Sequence, residues 1–381
     1  MSDLLGYRRA NETWGVRNHV LVMPAQAAAS TAAEQLAAAI PGAVAVTHQW
    51  DGDRDDRDAL LVQRTLAGFC ANPNVASVLI VGITDTDRAL AENVASRGCE
   101  TEFVALADHG GTLRAVDAAR PIVASLVTNA RRLRREPMPI SALVLGLECG
   151  GSDALSGITA NPALGIASDL LVAGGGTSIL AEVPELVGAE TLLAARAVTP
   201  EVGRRVIAVV HQFEQAVRAL GVDVRGAQPA PGNIEGGLST IEEKALGAAK
   251  KGGEAPVAGV LEYAQAPPAT GLYIMDTPGH DIEQMVAMVA GGCQLVAFTT
   301  GRGTPTGSAI APCLKIATNS TVFERMDGDI DLDAGAILDG RETVQSMGQR
   351  IYDTILTVAT GTLTSSERRG HREFALPPQL N

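Results

Sequence analysis

Aromatic side chains are scarce in this sequence, 3% of 381 residues, so any core must be aliphatic. Positive charge is also in short supply: 30 Lys and Arg face 43 Asp and Glu, a formal net charge of -13. A phosphate backbone demands clustered cations, and the one basic cluster, Arg131 to Arg135, reads as the solvated end of a helix. Nucleic acid is therefore not expected as a partner. The five cysteines are odd in number and lack paired spacing, which argues for a reducing compartment over a disulfide framework. No apolar run reaches membrane length and no signal peptide opens the chain, so the expected location is the cytoplasm, with no membrane partner. Internal repeats and low-complexity tracts are missing as well. What remains is a globular chain long enough for two aliphatic cores.

Residues 19 to 140 alternate apolar strands, at His19–Met23, Ala43–His48, Val75–Ile83 and Thr101–Ala107, with helical patterns centred on Glu34, Leu61, Ala91 and Ala124. Such alternation predicts a parallel sheet wrapped by helices. Arg135-Glu136-Pro137-Met138-Pro139 reads as a linker. Beyond it come strands at Leu143–Leu147, Ser178–Glu182, Val257–Leu261, Gly271–Met275 and Gln294–Thr299, helices at Pro200–Leu220 and Thr343–Ala359, and a polar Pro/Gly crossing from Gly226 to Gly237. The fold class is α/β, with a Rossmann-like parallel-sheet domain over residues 1–138 and a second, catalytic α/β domain over 139–381.

The segment Gly146 to Gly165 follows an apolar run, placing it where a buried strand ends and a helix should start, the position at which open α/β sheets bind ligands. Gly150 and Gly151 allow close backbone approach, Ser152 or Asp153 can cap the next helix, and its free N–H groups would face an anion such as a carboxylate. Cys149 sits at the mouth. Gly232 to Lys244 carries a second helix start, with Ser239 and Glu242 spaced as a capping box. Thr299 to Gly307 sets Arg302 between Gly301 and Gly303 after an apolar strand, and an Arg fork grips carboxylate, sulfonate or phosphate through paired hydrogen bonds. Neither this loop nor Gly174-Gly175-Gly176-Thr177 fits a dinucleotide fingerprint or a Walker loop, so no nucleotide is expected.

Taken together, these segments resemble the large, catalytic portion of the altronate and galactarate dehydratase family, which includes the large subunit of sulfolactate sulfo-lyase. The resemblance runs from Gly6-Tyr7-Arg8-Arg9-Ala10-Asn11 and Trp14-Gly15-Val16-Arg17-Asn18-His19 through Glu182-Val183-Pro184-Glu185, Gly188-Ala189-Glu190 and Met275-Asp276-Thr277-Pro278 to Gly370-His371-Arg372-Glu373-Phe374. It implies a lyase that removes a group β to the carboxylate of a hydroxy acid. Family dehydratases bear cysteines after the strand ending near His48 and after the third strand; here those places read His48-Gln49-Trp50-Asp51 and Val81-Gly82-Ile83-Thr84-Asp85, and only Cys149 survives. Loss of soft sulfur ligands shifts any metal toward a harder ion. The expected cofactor is a divalent metal, Fe2+ or Mn2+ with Mg2+ as a further option. Gly232 to Gly237 is shared with the sulfo-lyase branch, while the Gly150–Asp153 and Thr299–Gly307 loops look more like dehydratases. Fused dehydratases resemble this chain only after a small N-terminal β domain, which implies a separate small β-rich subunit here and a homo- or hetero-oligomer.

Eliminating a group β to a carboxylate requires a base for the α proton, donors aimed at the carboxylate oxygens, and an acid for a leaving hydroxide; sulfite leaves with less help. His48 is the first candidate for base or metal ligand, since it ends a strand and titrates near neutrality. Lys244 and Lys315 follow as base or carboxylate clamp. Arg17 and Asn18 are expected to anchor the far end of the substrate, and Gly150, Gly151, Ser152, Asp153, Thr300, Arg302 and Gly303 to line its site. His48, Cys149, Glu182 and Glu185 form the expected metal set. The function that fits first is a sugar-acid dehydratase giving a 2-keto-3-deoxy acid. A sulfo-lyase releasing sulfite and pyruvate is the alternative, and a non-catalytic sugar-acid-binding subunit stands as the reading from another class.

Overall fold

In the computed structural model, which describes residues 4–52 and 56–376, the chain builds two parallel sheets joined by a small antiparallel one. The small sheet is β1 (Leu5–Arg8) between β2 (Trp14–Gly15) and β7 (Glu136–Pro137). The first parallel sheet runs β4-β3-β5-β6, with β3 at His19–Pro24, β4 at Ala43–Ala45, β5 at Val75–Gly82 and β6 at Glu100–Ala105. The second runs β10-β11-β9-β8-β12-β13-β14. Its strands are β8 (Val144–Gly150), β9 (Thr177–Leu180), β10 (Val257–Leu261), β11 (Gly271–Met275), β12 (Leu295–Thr300), β13 (Cys313–Ala317) and β14 (Leu332–Asp333). The chain is thus α/β, as the alternating pattern predicts.

Strands β8, β12 and β13 are buried almost along their whole length because helices cover both faces, which is why they read as unbroken apolar runs. Helices Ala160–Ala173 and Val344–Thr360 pack together over one face. On the other face, helix Asp281–Ala290 packs against helix Asp56–Cys70 of the first sheet, and a single core joins Phe69, Val78 and Ile80 to Met288, Phe298 and Cys313. From β8 the chain moves outward to β9, and from β12 it moves the other way to β13. Connections therefore diverge between β8 and β12, and the C-terminal ends there form the crevice at which such sheets place ligands.

Several local expectations shift. The helix expected straight after Gly150 begins ten residues later, at Ala160, because Asp153 and Ser156 bond each other and hold a turn. Ser152 and Asp153 therefore cap nothing. The box expected at Ser239 and Glu242 is built one residue on: Thr240 caps helix Ile241–Ala249 by accepting from the Glu243 N–H, and Ser239 donates to the Glu243 carboxylate. Arg135 is no solvated helix end. It lies over the Tyr7 ring at 4.8 Å and donates to the carbonyls of Leu5, Val16 and Ala359. The strand expected through His48 stops at Ala45. Among the described residues no helix is long and apolar enough to cross a membrane.

Candidate active site

Four loops meet at the β8/β12 crevice. The first leaves β8 through Gly150 and Gly151. A Cβ on Gly150 would overlap the Asp281 carboxylate, so glycine is what lets that side chain lie against the strand end, and Gly151 turns the chain at φ 61°. The second follows β12: Thr300 is buried and its hydroxyl accepts from the Gly303 N–H at 2.9 Å. Asp153 ties the first loop to the segment after β13, its carboxylate taking hydrogen bonds from Ser156, from the Thr318 hydroxyl at 2.9 Å and from the Asn319 amide at 3.2 Å, and Asn319 in turn donates to the Gly301 carbonyl of the second loop. It is an internal brace with its oxygens spent. Arg302 is exposed between the loops. Its guanidinium lies so close to Gly232 that any side chain there would displace it, and it makes no hydrogen bond or ion pair among the described residues.

The third loop follows β9. Glu182 takes a left-handed backbone at φ 71° and ψ 52°, uncommon for a residue with a Cβ, and its N–H donates to the Thr277 hydroxyl. Its carboxylate is fully buried and pairs with the equally buried Lys251 ammonium. Burial first, then the neighbouring Glu185 charge, pushes the Glu182 carboxyl up to about 8 despite that partner. For Lys251, burial opposes the charge, but Glu182, Cys149, Glu185 and Glu148 outweigh it and the ammonium keeps its proton. Glu148, inside β8, is raised well above the ordinary carboxyl range by burial and by the Glu182 and Asp281 charges, and Asp281 is raised by burial and Glu185. The Gln284 amide donates to both Glu148 oxygens. One oxygen each of Glu182 and Glu185 is buried with no partner among the described residues.

The fourth segment is the Pro/Gly crossing with the helix after it. Lys244 Nζ sits 2.9 Å from Glu185 and 3.2 Å from both Gln228 and Asn233, while Asn233 donates to the Ser152 carbonyl. All three ammonium protons are used, so Lys244 ties the crossing to the β8 and β9 loops and has no lone pair to offer as a base. Cys149 faces the opposite side of the sheet from Glu148. Its thiol contacts the Ser152 hydroxyl at 3.0 Å and the Asn161 amide at 3.8 Å, and burial raises it further from the thiolate that a metal requires.

The structure thus brings together Cys149, Gly150, Gly151, Ser152, Asp153, Glu182, Glu185, Lys244, Thr300, Arg302 and Gly303. It leaves three expected residues elsewhere, with their bonding capacity consumed. Arg17 gives Nε and Nη2 to Glu367 at 2.6 and 2.9 Å and its remaining donors to the carbonyls of Val16, Val358 and Thr362. Asn18 accepts from Arg9 and donates to the Ala130 carbonyl. His48 donates from Nε2 to the Pro24 carbonyl at 2.8 Å, and Nδ1 accepts from the Trp50 N–H, which fixes the neutral ring and occupies the lone pair a base would use. The metal set His48, Cys149, Glu182 and Glu185 does not converge. Among the described residues no three His, Cys, Asp or Glu side chains are arranged to hold an ion, and the two glutamates are bridged to ammonium groups. These residues do not fit a metal centre of their own.

Lys251, Glu148 and Asp281 are the members that motif reading passes over. One compositional signal points to the first. The sequence has only four lysines, at 244, 250, 251 and 315, among its 30 cationic residues, so arginine supplies the surface charge. Three of those four lie buried or nearly so, where a compact ammonium fits and a guanidinium fork does not.

Residues 6–131 match the second domain of D-galactarate dehydratase/altronate hydrolase, and residues 140–380 match the C-terminal region of D-galactarate/altronate dehydratase. The chain is 36% identical to the (2R)-sulfolactate sulfo-lyase subunit beta of Chromohalobacter salexigens, over 98% of this chain and 96% of that one. It is 33% identical to the altronate dehydratase of Bacillus subtilis, over 97% of this chain and 76% of the relative. Against the galactarate dehydratase (L-threo-forming) of Escherichia coli the identity is 37%, over 84% and 63%. The chain belongs to the D-galactarate/altronate dehydratase family, and it is a lyase.

Proposed function

We propose that the chain is the large subunit of a lyase acting on a 2-hydroxy carboxylic acid, with an altronate- or galactarate-type sugar acid losing water to give a 2-keto-3-deoxy acid. The observation that carries this reading is the meeting, at one sheet edge, of an arginine side chain with no partner among the described residues and a buried carboxyl group, Glu182, with one oxygen unpartnered among them. Arg302 grips the substrate carboxylate and stabilises the charge that builds on it when the α proton leaves. Glu182, oriented by Lys251, gives its proton to the departing hydroxyl. Of the three expected bases, Lys244 is bound to Glu185 and the ring of His48 has both nitrogens in hydrogen bonds to the backbone, while the Lys315 nitrogen meets a neutral partner, His371. Lys315 and the Glu182 turn stand on β13 and just beyond β9, on either side of β8 and β12. Three strand spacings separate the two, roughly 14 Å of backbone.

A second reading has its own support. The chain is 36% identical to a relative named as the beta subunit of a sulfo-lyase. Together with the two missing cysteines, this favours sulfite as the leaving group and a separate partner subunit. The deciding assay combines the chain with that partner, anaerobically and with added iron, manganese or magnesium, on aldonic acids, aldaric acids and sulfolactate, quantifying 2-oxo acid and sulfite. Oxo acid without sulfite from a sugar acid supports the dehydratase, and sulfite with pyruvate the sulfo-lyase. Tight binding without product from any acid overturns both in favour of a binding subunit.

A further inference from the structure

Lys315 is fully buried in the middle of β13, yet it lacks the counter-charge that Lys244 and Lys251 have. Among the described residues its ammonium makes one polar contact, at 3.1 Å, to Nδ1 of His371. The other ring nitrogen of His371 lies 3.7 Å from Asp329, and the ring is partly open to solvent. Asp331, also close by, is committed to the backbone N–H groups of Lys315 and Ser365 and to Arg368. Glu373 accepts from the Gly307 N–H, so the segment bearing His371 also latches the Arg302 loop. The chain then crosses to the first sheet, where Phe374 packs edge-on to Phe69 at 4.9 Å. A carboxylate facing Nε2 favours the tautomer with its proton there, which leaves the Nδ1 lone pair aimed at the lysine.

We propose that His371, backed by Asp329, is the relay through which the Lys315 amine discharges the proton it takes from the substrate. The proposal rests on the lyase reading given above. The neutral amine takes the α proton, and the C–H electron pair forms the enolate that expels the group at the next carbon. The resulting ammonium passes one proton to Nδ1, and the imidazolium, stabilised by Asp329, releases a proton to water, so Lys315 is a neutral base again at the end of the cycle. Burial lowers Lys315 from the ordinary lysine range, and burial together with Lys315 lowers His371, which keeps both groups ready to release a proton. The charged or titratable groups facing the pair are Cys313, Asp329, Asp331, Glu373 and Arg369. His371 is a positioning residue, since it acts through Lys315.

With four lysines, the chain labelled with 13C-lysine carries four ε-methylene signals, and the one lost in Lys315→Arg belongs to Lys315. Its titration midpoint is expected below the ordinary lysine range, and lower still in His371→Ala, which removes its hydrogen-bond acceptor. In the complete complex His371→Ala should lower kcat by about 10²-fold, with partial rescue by imidazole. His371→Gln, which keeps an acceptor but carries no proton, should leave the Lys315 midpoint nearly in place and kcat still about 10²-fold down. A Lys315 midpoint in the ordinary lysine range, or normal turnover in His371→Gln, overturns the relay alone. An unsubstituted complex that eliminates nothing from any acid overturns the lyase reading, and the relay with it, whatever the titration gives.

Discussion

Arg17 and Arg302 each stand beside a segment expected to bind an anion, one ahead of the first parallel sheet and one at the edge of the second. Arg17 distributes its donors over a glutamate and three carbonyls, and is buried. Arg302 makes none of these bonds and is exposed at the crevice. The same contrast separates His48, with both nitrogens occupied, from Glu182, which keeps one buried oxygen free. In the first region polar side chains join the chain to itself; at the edge of the second the fold leaves capacity unused. A group is available to a ligand only if folding has not already consumed it, and residue type alone does not reveal this.

The comparison is broken most severely through Glu182 and Arg17. Glu182→Gln removes the acid and should lower kcat by about 10²- to 10⁴-fold in the elimination assay. Arg17→Ala strands the partly buried Glu367 charge and should cost about 3–5 kcal/mol in denaturant unfolding, with turnover per folded molecule nearly unchanged. A catalytic defect at full stability would return Arg17 to the site. Arg302→Ala inverts that pattern: KM rises about 10- to 100-fold while stability moves by no more than about 0.5 kcal/mol. His48→Ala should destabilise by about 1–3 kcal/mol, through the Pro24 carbonyl and Trp50 N–H left unpaired, and change turnover far less.

A further effect is one of pH. Glu182 rises from 4.5 when unfolded to about 8 when folded, so the folded chain holds a proton that the unfolded chain loses across that interval. Its contribution to stability is complete below pH 4.5 and drains away as pH climbs to 8. Glu182→Gln has no such loss, so the melting temperature of the variant relative to the parent should rise through this window and level off above it. A flat difference would mean that Glu182 is ionised throughout.

Much of the fold was legible because parallel strands buried on both faces are apolar runs, and the glycine segments after β8 and β12 mark where those strands end. The Gly150 and Arg302 loops read as ligand loops from chemistry that is local in sequence. Lys251 did not, because its partner Glu182 lies 69 residues away and only the sheet order joins them. Glu148 was hidden inside an otherwise apolar strand, where one carboxylate looks like an interruption. His48 was misleading for a physical reason: the first sheet also has a C-terminal edge, but its loop folds the ring back onto Pro24. The helix displaced from Ser152 to Ala160 shows the same limit, since the Asp153 brace depends on Thr318 and Asn319 from beyond β13.

The central claim is that the acid's carboxylate binds at the edge of the second sheet, on Arg302. The measurement that tests it most directly is steady-state elimination by the complete complex, unsubstituted and as Arg302→Ala, with melting temperatures recorded on the same samples. A KM raised about 10- to 100-fold at an unchanged melting temperature is the result expected. An unchanged KM in a fully folded variant would contradict the claim and move the carboxylate site away from this loop.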